Sequence, residues 1–187
     1  LFLPHDRPGR GRKLYKYALT IVDIASRYKE AEPLATKSAA EVSTALEKIY
    51  KRSPLDWPKL LQVDPGREFM GDVNQLLEKH DTKIRRGRVD IHRDQAIVER
   101  FNQTLAERLF GHQYAQEMLL DDKRSVEWVK RLPEVIKAIN SEVTRIIANK
   151  PEDAIKLDSI AQKPLKYDRP VGLDEKKIEF DADVRYL

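Results

Sequence analysis

The sequence predicts an α/β domain in which a mixed β-sheet is flanked by helices, with extra helices towards the C-terminus. Three observations predict it: successive strand-like segments at residues 15–23 and 28–34, the short and nearly all-apolar segment PKLLQVD, and a long segment with helical periodicity at about residues 95–116. Alternating and β-branched residues favour an antiparallel pair, whereas a short apolar run favours a strand buried on both faces. The predicted element order is β-β-α-β-α-β-α-α.

The first half of the chain supplies four of these elements after an N-terminal loop. PHDRPGRGRK, residues 4–13, contains two prolines, two glycines and four basic residues, which is typical of an exposed loop. The two strands follow, and KSAAEVSTALEKIYKR then predicts an amphipathic helix capped at Thr36 or Ser38. The apolar strand PKLLQVD ends at Asp64.

The second half is mostly helical. PGREFMG predicts a turn, DVNQLLEKH a short amphipathic helix and TKIRRGRV a strand or extended segment. The long helix that follows has an apolar stripe formed by Ile97, Val98, Phe101, Leu105 and Leu109. SVEWVKRL and EVIKAINSEVTRII predict two further helical pieces, broken or kinked at Pro133.

The composition limits the class of protein. At 187 residues the chain suffices for one sizeable domain with a short attachment. The net charge of +4 favours a polyanionic partner only weakly, because 31 acidic residues offset most of the 35 basic ones. The absence of cysteine excludes disulfides and cysteine-containing zinc sites. No apolar run approaches the about 18 residues of a membrane span, no signal peptide is recognisable, and a first residue other than Met suggests a fragment.

Two acidic residues stand where functional groups commonly lie. Asp64 ends the buried strand and opens a Pro-Gly turn, a position that functional groups often take in α/β sheets. Glu99 lies in the first turns of the long helix. Each has a simpler interpretation by itself, because Asp64 can cap the turn and Glu99 can offset the helix dipole. The pair is more specific, since 34 residues separate the two acids and VDPGREF and VERFNQTL surround them.

This pair resembles the last two acids of the D,D-35-E signature of retroviral-type integrases and related DDE transposases. Gly66, Glu68 and Phe69 match the family's Asp-x-Gly-x-Glu-Phe turn. The pattern around the family's catalytic Glu is matched by Gln95, Ala96, Val98, Glu99, Arg100, Asn102, Thr104 and Leu105. DIASRYKEAEPL resembles the family's second strand, and INSEVTRIIANKPEDAI resembles the segment after its core, with Asn140, Thr144, Arg145 and Pro151 in place. The likeness covers about residues 1–156 and looks nearest to integrases of Maverick/Polinton elements and Ty3/gypsy-type retrotransposons, between which the sequence does not choose.

The resemblance implies an RNase H-like fold, with carboxylates from separate elements meeting at one edge of the sheet. It implies a DDE-type DNA integrase that carries out metal-dependent phosphodiester cleavage (3′-end processing) and strand transfer to insert a mobile element. Asp64 and Glu99 would be the catalytic and metal-binding acids, each holding one of two Mg²⁺ (or Mn²⁺) ions. Two such ions about 3.5–4 Å apart activate the nucleophile and stabilise the leaving group, and hard divalent ions prefer carboxylate oxygens.

The family requires a third acid on its first strand. The resemblance places this acid a few residues before a Leu-Pro pair, and LFLP opens this chain. We therefore expect the acid immediately upstream of Leu1, so that this fragment lacks one metal ligand and is inactive by itself. Asp23 and Asp6 are the alternatives. Asp23 matches the family's second strand, where the resemblance implies a structural role with hydrogen bonds from the following turn and from Ser26, and Asp6 lies past the proline in the basic loop.

A basic segment, KIRRGRV, precedes Glu99. Phosphate contacts explain such a cluster, and a charged edge strand that resists aggregation is the alternative. The predicted DNA-binding residues are Lys83, Arg85, Arg86, Arg88, His92, Arg93, Gln95, Asn102 and Gln103. Of the two faces of the segment, we slightly favour that of Arg86 and Arg88. A second basic patch comprises Arg7, Arg10, Arg12 and Lys13, and Trp57 and Trp128 are interpreted as core or interface residues.

The same resemblance implies partners and domain limits. The partners are double-stranded DNA, of element ends and target, and other copies of the chain in a homo-oligomer, without a membrane. The location is the nucleus for a eukaryotic element and otherwise intracellular. Residues 1–156 form the core with trailing helices, 157–170 a linker and 171–187 the start of an incomplete SH3- or chromo-like β-domain. Two alternatives remain: an RNase H-like nuclease of another kind, and a domesticated or decayed DNA-binding or assembly module without catalysis.

Overall fold

The structure is a computed structural model that describes residues 1–8, 13–87, 96–119 and 127–161. Within these ranges the strands are β1 (Phe2–Asp6), β2 (Tyr15–Val22), β3 (Lys29–Leu34), β4 (Leu60–Val63) and β5 (Lys83–Arg86). The helices are α1 (Ala39–Arg52), α2 (Asp72–Lys79), α3 (Ala96–Glu117), α4 (Leu132–Asn140) and α5 (Pro151–Ala154), and a 3-10 turn spans Arg67–Phe69.

The strands pair in two ways. β1, β2 and β3 form an antiparallel sheet in that order, with Thr20 of β2 opposite Ala31 of β3. β4 and β5 pair in parallel, with Val63 opposite Arg86. Antiparallel and parallel pairs flanked by helices confirm the predicted mixed α/β class. Within the described residues, however, the two kinds of pairing form two sheets rather than one.

Helices cover the antiparallel sheet on both faces. Alternation along the strands directs Ala18 and Ala31 to one face and Leu19 and Leu34 to the other. On the first face, α3 and α4 contribute Phe101, Leu105, Leu109, Leu132, Val135, Ile136 and Ile139. On the second face, α1 and α2 contribute Val42, Ala45, Leu46, Ile49, Val73, Leu76 and Leu77. The domain is therefore built in layers, with α3 and the α1–α2 pair on opposite sides of β2.

α1 begins at one of the two predicted caps. Ser38 is the N-cap, and its Oγ accepts a hydrogen bond from the Glu41 backbone N–H at 3.3 Å. The Glu41 carboxylate accepts bonds from the backbone N–H groups of Ala35 (3.0 Å) and Thr36 (2.7 Å), and Lys13 Nζ lies 2.8 Å from it. Burial raises the pKa of Glu41, but the bonds from Lys13, Thr36 and Ala35 together lower it to about 2.

The predicted loop over residues 4–13 is wrong at its start, because β1 continues to Asp6, which pairs with Tyr15 of β2. Proline and charged residues favour a loop locally. Backbone pairing with β2 and the nearly complete burial of Leu3 and Asp6, each 1% exposed, outweigh that preference.

The predicted helix after Pro133 is too long, because α4 ends at Asn140. Beyond it the chain folds into a turn in which the Thr144 backbone N–H donates to the Asn149 carbonyl at 3.0 Å. Pro133 lies in the first turn of α4, where its missing N–H would have had no partner within the helix. The proline therefore begins this helix instead of kinking it.

Both tryptophans pack against the protein, as interpreted from the sequence. Trp128 is fully buried, and its indole Nε1 donates to the Pro4 carbonyl at 2.7 Å. Trp57 is stacked between Tyr50 and His80, with ring centroids 4.3 Å and 3.9 Å away. Both faces of the Trp57 ring are therefore occupied by the protein's own rings.

In the ranges that the structure describes, no helix is long and apolar enough to cross a membrane. Residues 162–187 lie outside those ranges, so most of the predicted linker (157–170) and the predicted start of a C-terminal β-domain stay predictions.

Candidate functional site

Asp64 lies at the end of β4, where the sequence predicts it. Val63 before it is 8% exposed, and its carbonyl accepts a bond from the Gly87 backbone N–H at 2.8 Å. Asp64 itself is exposed. A Cβ at Gly66 would overlap the carboxylate of Glu68, so glycine lets Glu68 fold back over the turn that Asp64 opens.

The start of β1 lies beside this turn. The Leu1 amino group donates to the Ala18 carbonyl at 3.0 Å, and the Ala18 N–H donates to the Leu1 carbonyl at 2.9 Å. Burial and repulsion by Lys37 lower the pKa of the Leu1 amino group, while the carboxylates of Asp64 and Glu68 act to raise it. Both carboxylates therefore lie close enough to Leu1, the residue before β1, for their charges to act on its amino group.

Glu99 lies exposed in the first turn of α3. Most of the predicted apolar stripe holds this helix on the sheet, since Phe101, Leu105 and Leu109 are at most 2% exposed. Ile97 departs from the prediction, because it is 40% exposed.

A polar contact fixes the beginning of α3 to β2. Asn102, one turn after Glu99, accepts a hydrogen bond through Oδ1 from Thr20 Oγ1 at 2.8 Å. Thr20 follows Ala18 by two residues, about 7 Å along the strand. The turn of α3 that carries Glu99 and the Leu1 position beside Asp64 therefore contact the same short stretch of β2.

The helix that carries Glu99 is bonded to β2, and Leu1, near Asp64, is paired with β2 as well. The convergence of the two carboxylates to about 4–8 Å, the span of a two-metal site, stays a prediction. Among the described residues, no group of three or more His, Asp or Glu side chains is arranged to hold a metal ion.

Asp23 has the local role that the resemblance implies. Its Oδ2 accepts hydrogen bonds from the backbone N–H and the Oγ of Ser26, at 2.7 and 2.6 Å. Its carbonyl accepts a bond from Arg27, which adopts the left-handed conformation with φ of 61°. Asp23 therefore stabilises the turn between β2 and β3.

Asp6 is also structural. It is 1% exposed, and its Oδ2 accepts a hydrogen bond from the Val129 backbone N–H at 2.8 Å. This bond attaches the end of β1 to the turn that precedes α4, and it explains why a carboxylate can be buried there.

The basic segment divides between two sides of β5. Ile84 packs against the second core cluster together with Leu61, so the side of Ile84 and Arg86 faces the domain. Arg86 Nη2 donates to the Phe69 carbonyl at 3.1 Å and to Asn74 Oδ1 at 3.0 Å. Lys83 and Arg85 lie on the other side, and all three cations of β5, Arg86 included, are exposed.

Four of the predicted DNA-binding residues, Arg88, His92, Arg93 and Gln95, lie outside the described residues. Two others lie on α3 next to Glu99. Asn102 is bonded to Thr20, and Gln103 is exposed with its Nε2 donating to Glu107 Oε1 at 2.9 Å.

The second basic patch is described only in part, since Arg10 and Arg12 lie outside the described ranges. Arg7 is exposed, and Lys13 is paired with Glu41.

Asn74 is a functional candidate that the sequence does not single out. Nothing in DVNQLLEKH distinguishes it from another surface residue of a short helix, because its partner Arg86 lies 12 residues away on a different element. Asn140 was matched only to a family pattern. In the structure its amide bonds both the N–H and the carbonyl of Lys29, at 2.9 and 2.8 Å, on β3.

Known proteins resemble the chain in sequence and in fold. A transposon-derived protein of Caenorhabditis elegans is 30% identical to it over 165 residues, which are 88% of this chain and 51% of that protein. The chain therefore spans about half the length of the curated relative that it matches. No protein-family profile matches the chain.

Two solved structures superpose on the chain. The crystal structure of the catalytic core domain of BIV integrase matches with a TM-score of 0.55 and 19% identity, over 80% of this chain and 89% of that one. The simian T-cell lymphotropic virus intasome in complex with a PP2A regulatory subunit matches with a TM-score of 0.65 and 16% identity, over 89% of this chain and 58% of that one. The chain has the RNase H-like fold of retroviral integrase catalytic cores.

Proposed function

We propose that this chain is the catalytic core of an integrase or transposase that cleaves DNA phosphodiester bonds with the help of divalent metal ions and transfers strands to insert a mobile element. The observation that carries the proposal is that Asp64 and Glu99 are both exposed, Asp64 directly after β4 and Glu99 in the first turn of α3, which Asn102 bonds to β2. The integrase-core fold and the likeness to a transposon-derived protein support it.

The protein's own part in this reaction is to present carboxylates at a fixed separation. Asp64 follows a strand whose last carbonyl is bonded to Gly87, and Glu99 stands on a helix held by Asn102 and by a buried apolar stripe. Both acids are exposed, so a phosphate group of DNA can reach them. Rigid supports for exposed acids are what a site of this kind requires.

The donor set fits Mg²⁺ or Mn²⁺, two ions in the active complex. Hard divalent ions prefer carboxylate oxygens and retain several waters, so exposed Asp and Glu suit them. Bound by such acids, the ions would activate the attacking oxygen and stabilise the leaving oxygen.

We further propose that the third acid of the site precedes Leu1, because a residue before Leu1 would extend β1 beside Asp64. Asp23 and Asp6 are each bonded to neighbouring backbone, which supports the same assignment. Variants of a chain extended upstream, with each acid before Leu1 replaced by its amide, test this assignment through loss of activity.

The partners would be double-stranded DNA, of element ends and target, and other copies of the chain. We propose the nucleus as the location if the element is eukaryotic, and residues 157–170 as a linker to a C-terminal β-domain. For the DNA contact we now favour Lys83 and Arg85 over Arg86, because their side of β5 faces outwards. The loop residues Arg88, His92, Arg93 and Gln95 remain part of the proposed contact.

Strand transfer between an element-end duplex and a target plasmid tests the function, in a chain that carries its natural upstream residues. Asp64→Asn and Glu99→Gln should each reduce Mg²⁺-dependent transfer to background, because each keeps its shape and loses the charge that holds a divalent ion. Glu47→Gln, an exposed acid on α1, is the control and should remain active.

Each other outcome has a definite meaning. Transfer that persists in either acid variant would refute the catalytic assignment. DNA binding without transfer in every variant would indicate a DNA-binding or assembly module that has lost catalysis. Cleavage without transfer would indicate an RNase H-like nuclease of another kind.

Salt titrations of DNA binding test the basic segment. Lys83→Ala and Arg85→Ala should weaken binding similarly on unrelated sequences. Each should also flatten the dependence of log K on log salt, by about 0.9 for each phosphate group that is no longer neutralised. Lys51→Ala, an exposed cation on α1, is the control. If neither variant changes the salt dependence of DNA binding, the basic segment only protects the edge of a strand.

A further inference from the structure

Arg86 is the cation of β5 whose side chain bonds the segment after Asp64. Its Nη2 donates to the Phe69 carbonyl at 3.1 Å and to Asn74 Oδ1 at 3.0 Å. Phe69 ends the 3-10 turn that follows Asp64, and Asn74 lies in the first turn of α2. Arg86 therefore joins the end of β5 to both elements that follow the candidate metal-binding acid.

The segment that Arg86 bonds has weak internal support. Within it, the Phe69 N–H donates to the Gly66 carbonyl at 3.3 Å and the Met70 N–H donates to the Arg67 carbonyl at 3.2 Å. Both are longer than the usual 2.9–3.0 Å, about the mode for such bonds. Gly71 then takes a positive φ of 53°, a backbone conformation that glycine adopts readily. Such a segment needs a bond from outside to keep one geometry.

β5 also holds the residue before Asp64. Val63 is opposite Arg86 in the parallel pair, and the Gly87 N–H donates to the Val63 carbonyl at 2.8 Å. Arg86 and Gly87 therefore bond the chain on both sides of Asp64, at Val63 through the backbone and at Phe69 through the Arg86 side chain.

We propose that Arg86 is a positioning residue for Asp64: it holds the turn over residues 64–71 against the end of β5, from which the chain continues towards Glu99. This inference rests on the proposed function, since it assigns Arg86 to the geometry of the metal site and not to DNA phosphates. Its guanidinium has a planar arrangement of donors that suits two acceptors at once.

The test compares Arg86→Ala with Asn74→Ala, which removes one acceptor of Arg86 and leaves every charge in place, and with Lys79→Ala, an exposed cation on α2, as a control. Mn²⁺ binding, the salt dependence of DNA binding and hydrogen exchange over residues 64–71 are measured in each. Arg86→Ala should weaken Mn²⁺ affinity by about tenfold, the lower end of the effect of groups that hold ligands in place.

Asn74→Ala should weaken Mn²⁺ affinity by a smaller factor, and the double variant should be no weaker than Arg86→Ala, because both changes break one set of bonds. In the Arg86 and Asn74 variants, the dependence of DNA binding on salt should remain as in the unmodified chain. Hydrogen exchange over residues 64–71 should accelerate. Lys79→Ala should leave Mn²⁺ affinity, the salt slope and hydrogen exchange unchanged.

A flattened salt slope with unchanged Mn²⁺ affinity in Arg86→Ala would overturn the inference and make Arg86 a phosphate contact. Unchanged exchange over residues 64–71 would also overturn it. The proposed function fails separately, if Asp64→Asn binds Mn²⁺ as well as the unmodified chain; hydrogen exchange would then still decide whether Arg86 holds the turn.

Discussion

Two groups of acidic side chains in this domain differ in their burial and in their cationic partners. Glu30 and Glu32 of β3 are each 8% exposed and are bonded to cations of α1. Arg52 Nη2 donates to Glu30 at 2.9 Å, Arg52 also bonds Glu32, and Lys48 Nζ lies 3.3 Å from Glu32. These carboxylates are buried because the protein itself neutralises them.

Asp64 and Glu99 differ in every one of these respects. Both are exposed, and within the described ranges neither carboxylate accepts a hydrogen bond or forms an ion pair. The acids of β3 are paired within the protein, whereas Asp64 and Glu99, the acids that we propose bind metal, are exposed. A measurement of stability should therefore separate the two groups.

Arg52→Ala should have the largest effect on stability. It removes the cation shared by two nearly buried carboxylates, and we expect the free energy of unfolding to fall by about 2 kcal/mol, in the range for hydrogen bonds to charged groups. For a domain of this size the melting temperature should fall by about 4–8 °C. Lys51→Ala, its exposed neighbour on α1, should stay within about 0.5 kcal/mol. An equal effect of both variants would show that the pairing of Arg52 with Glu30 and Glu32 does not stabilise the fold.

Glu41, another acid that the protein itself pairs, should contribute a stability that depends on pH. Its pKa in the folded protein is about 2, below the about 4.3 of an unfolded chain. A carboxyl group with a depressed pKa contributes stability that is present above the unfolded value and is lost as the pH falls through the folded one. The melting temperature of Glu41→Gln should therefore lie below that of the unmodified chain at neutral pH, and the difference should shrink between about pH 4.3 and pH 2.

Glu47→Gln, at an exposed position of the same helix, controls for the loss of one negative charge. A difference between Glu41→Gln and the unmodified chain that stayed constant from neutral pH to about pH 2 would contradict the assigned role of Lys13 and Thr36.

Asp64→Asn and Glu99→Gln should have the smallest effect on stability. Both side chains are exposed and do not hold the fold together, so the free energy of unfolding should change by at most about 0.5 kcal/mol without metal. A rise is expected if the two charges repel each other. Thermal unfolding in the presence of a chelator measures this. A loss above about 1 kcal/mol would place these acids with the structural group.

The sequence alone was sufficient for the parts of this protein that depend on neighbours in the chain. Alternation predicted β2 and β3, the apolar run predicted β4 with Asp64 at its end, and an apolar stripe predicted α3 with Glu99 in its first turn. The N-cap Ser38 and the turn bonds of Asp23 follow the same local logic. These features involve residues a few positions apart, whose side-chain types favour one backbone geometry directly.

Tertiary structure decided the rest, because the decisive hydrogen bonds join residues that are far apart in the chain. Asp6 is buried in β1 because Val129, 123 residues later, donates to it, and Asn140 bonds the backbone of Lys29 across 111 residues. Arg86 looks like one more cation of KIRRGRV until α2 brings Asn74 beside it. The sequence shows which residues are polar. The role of a polar side chain depends on the partner that folding places within hydrogen-bond distance.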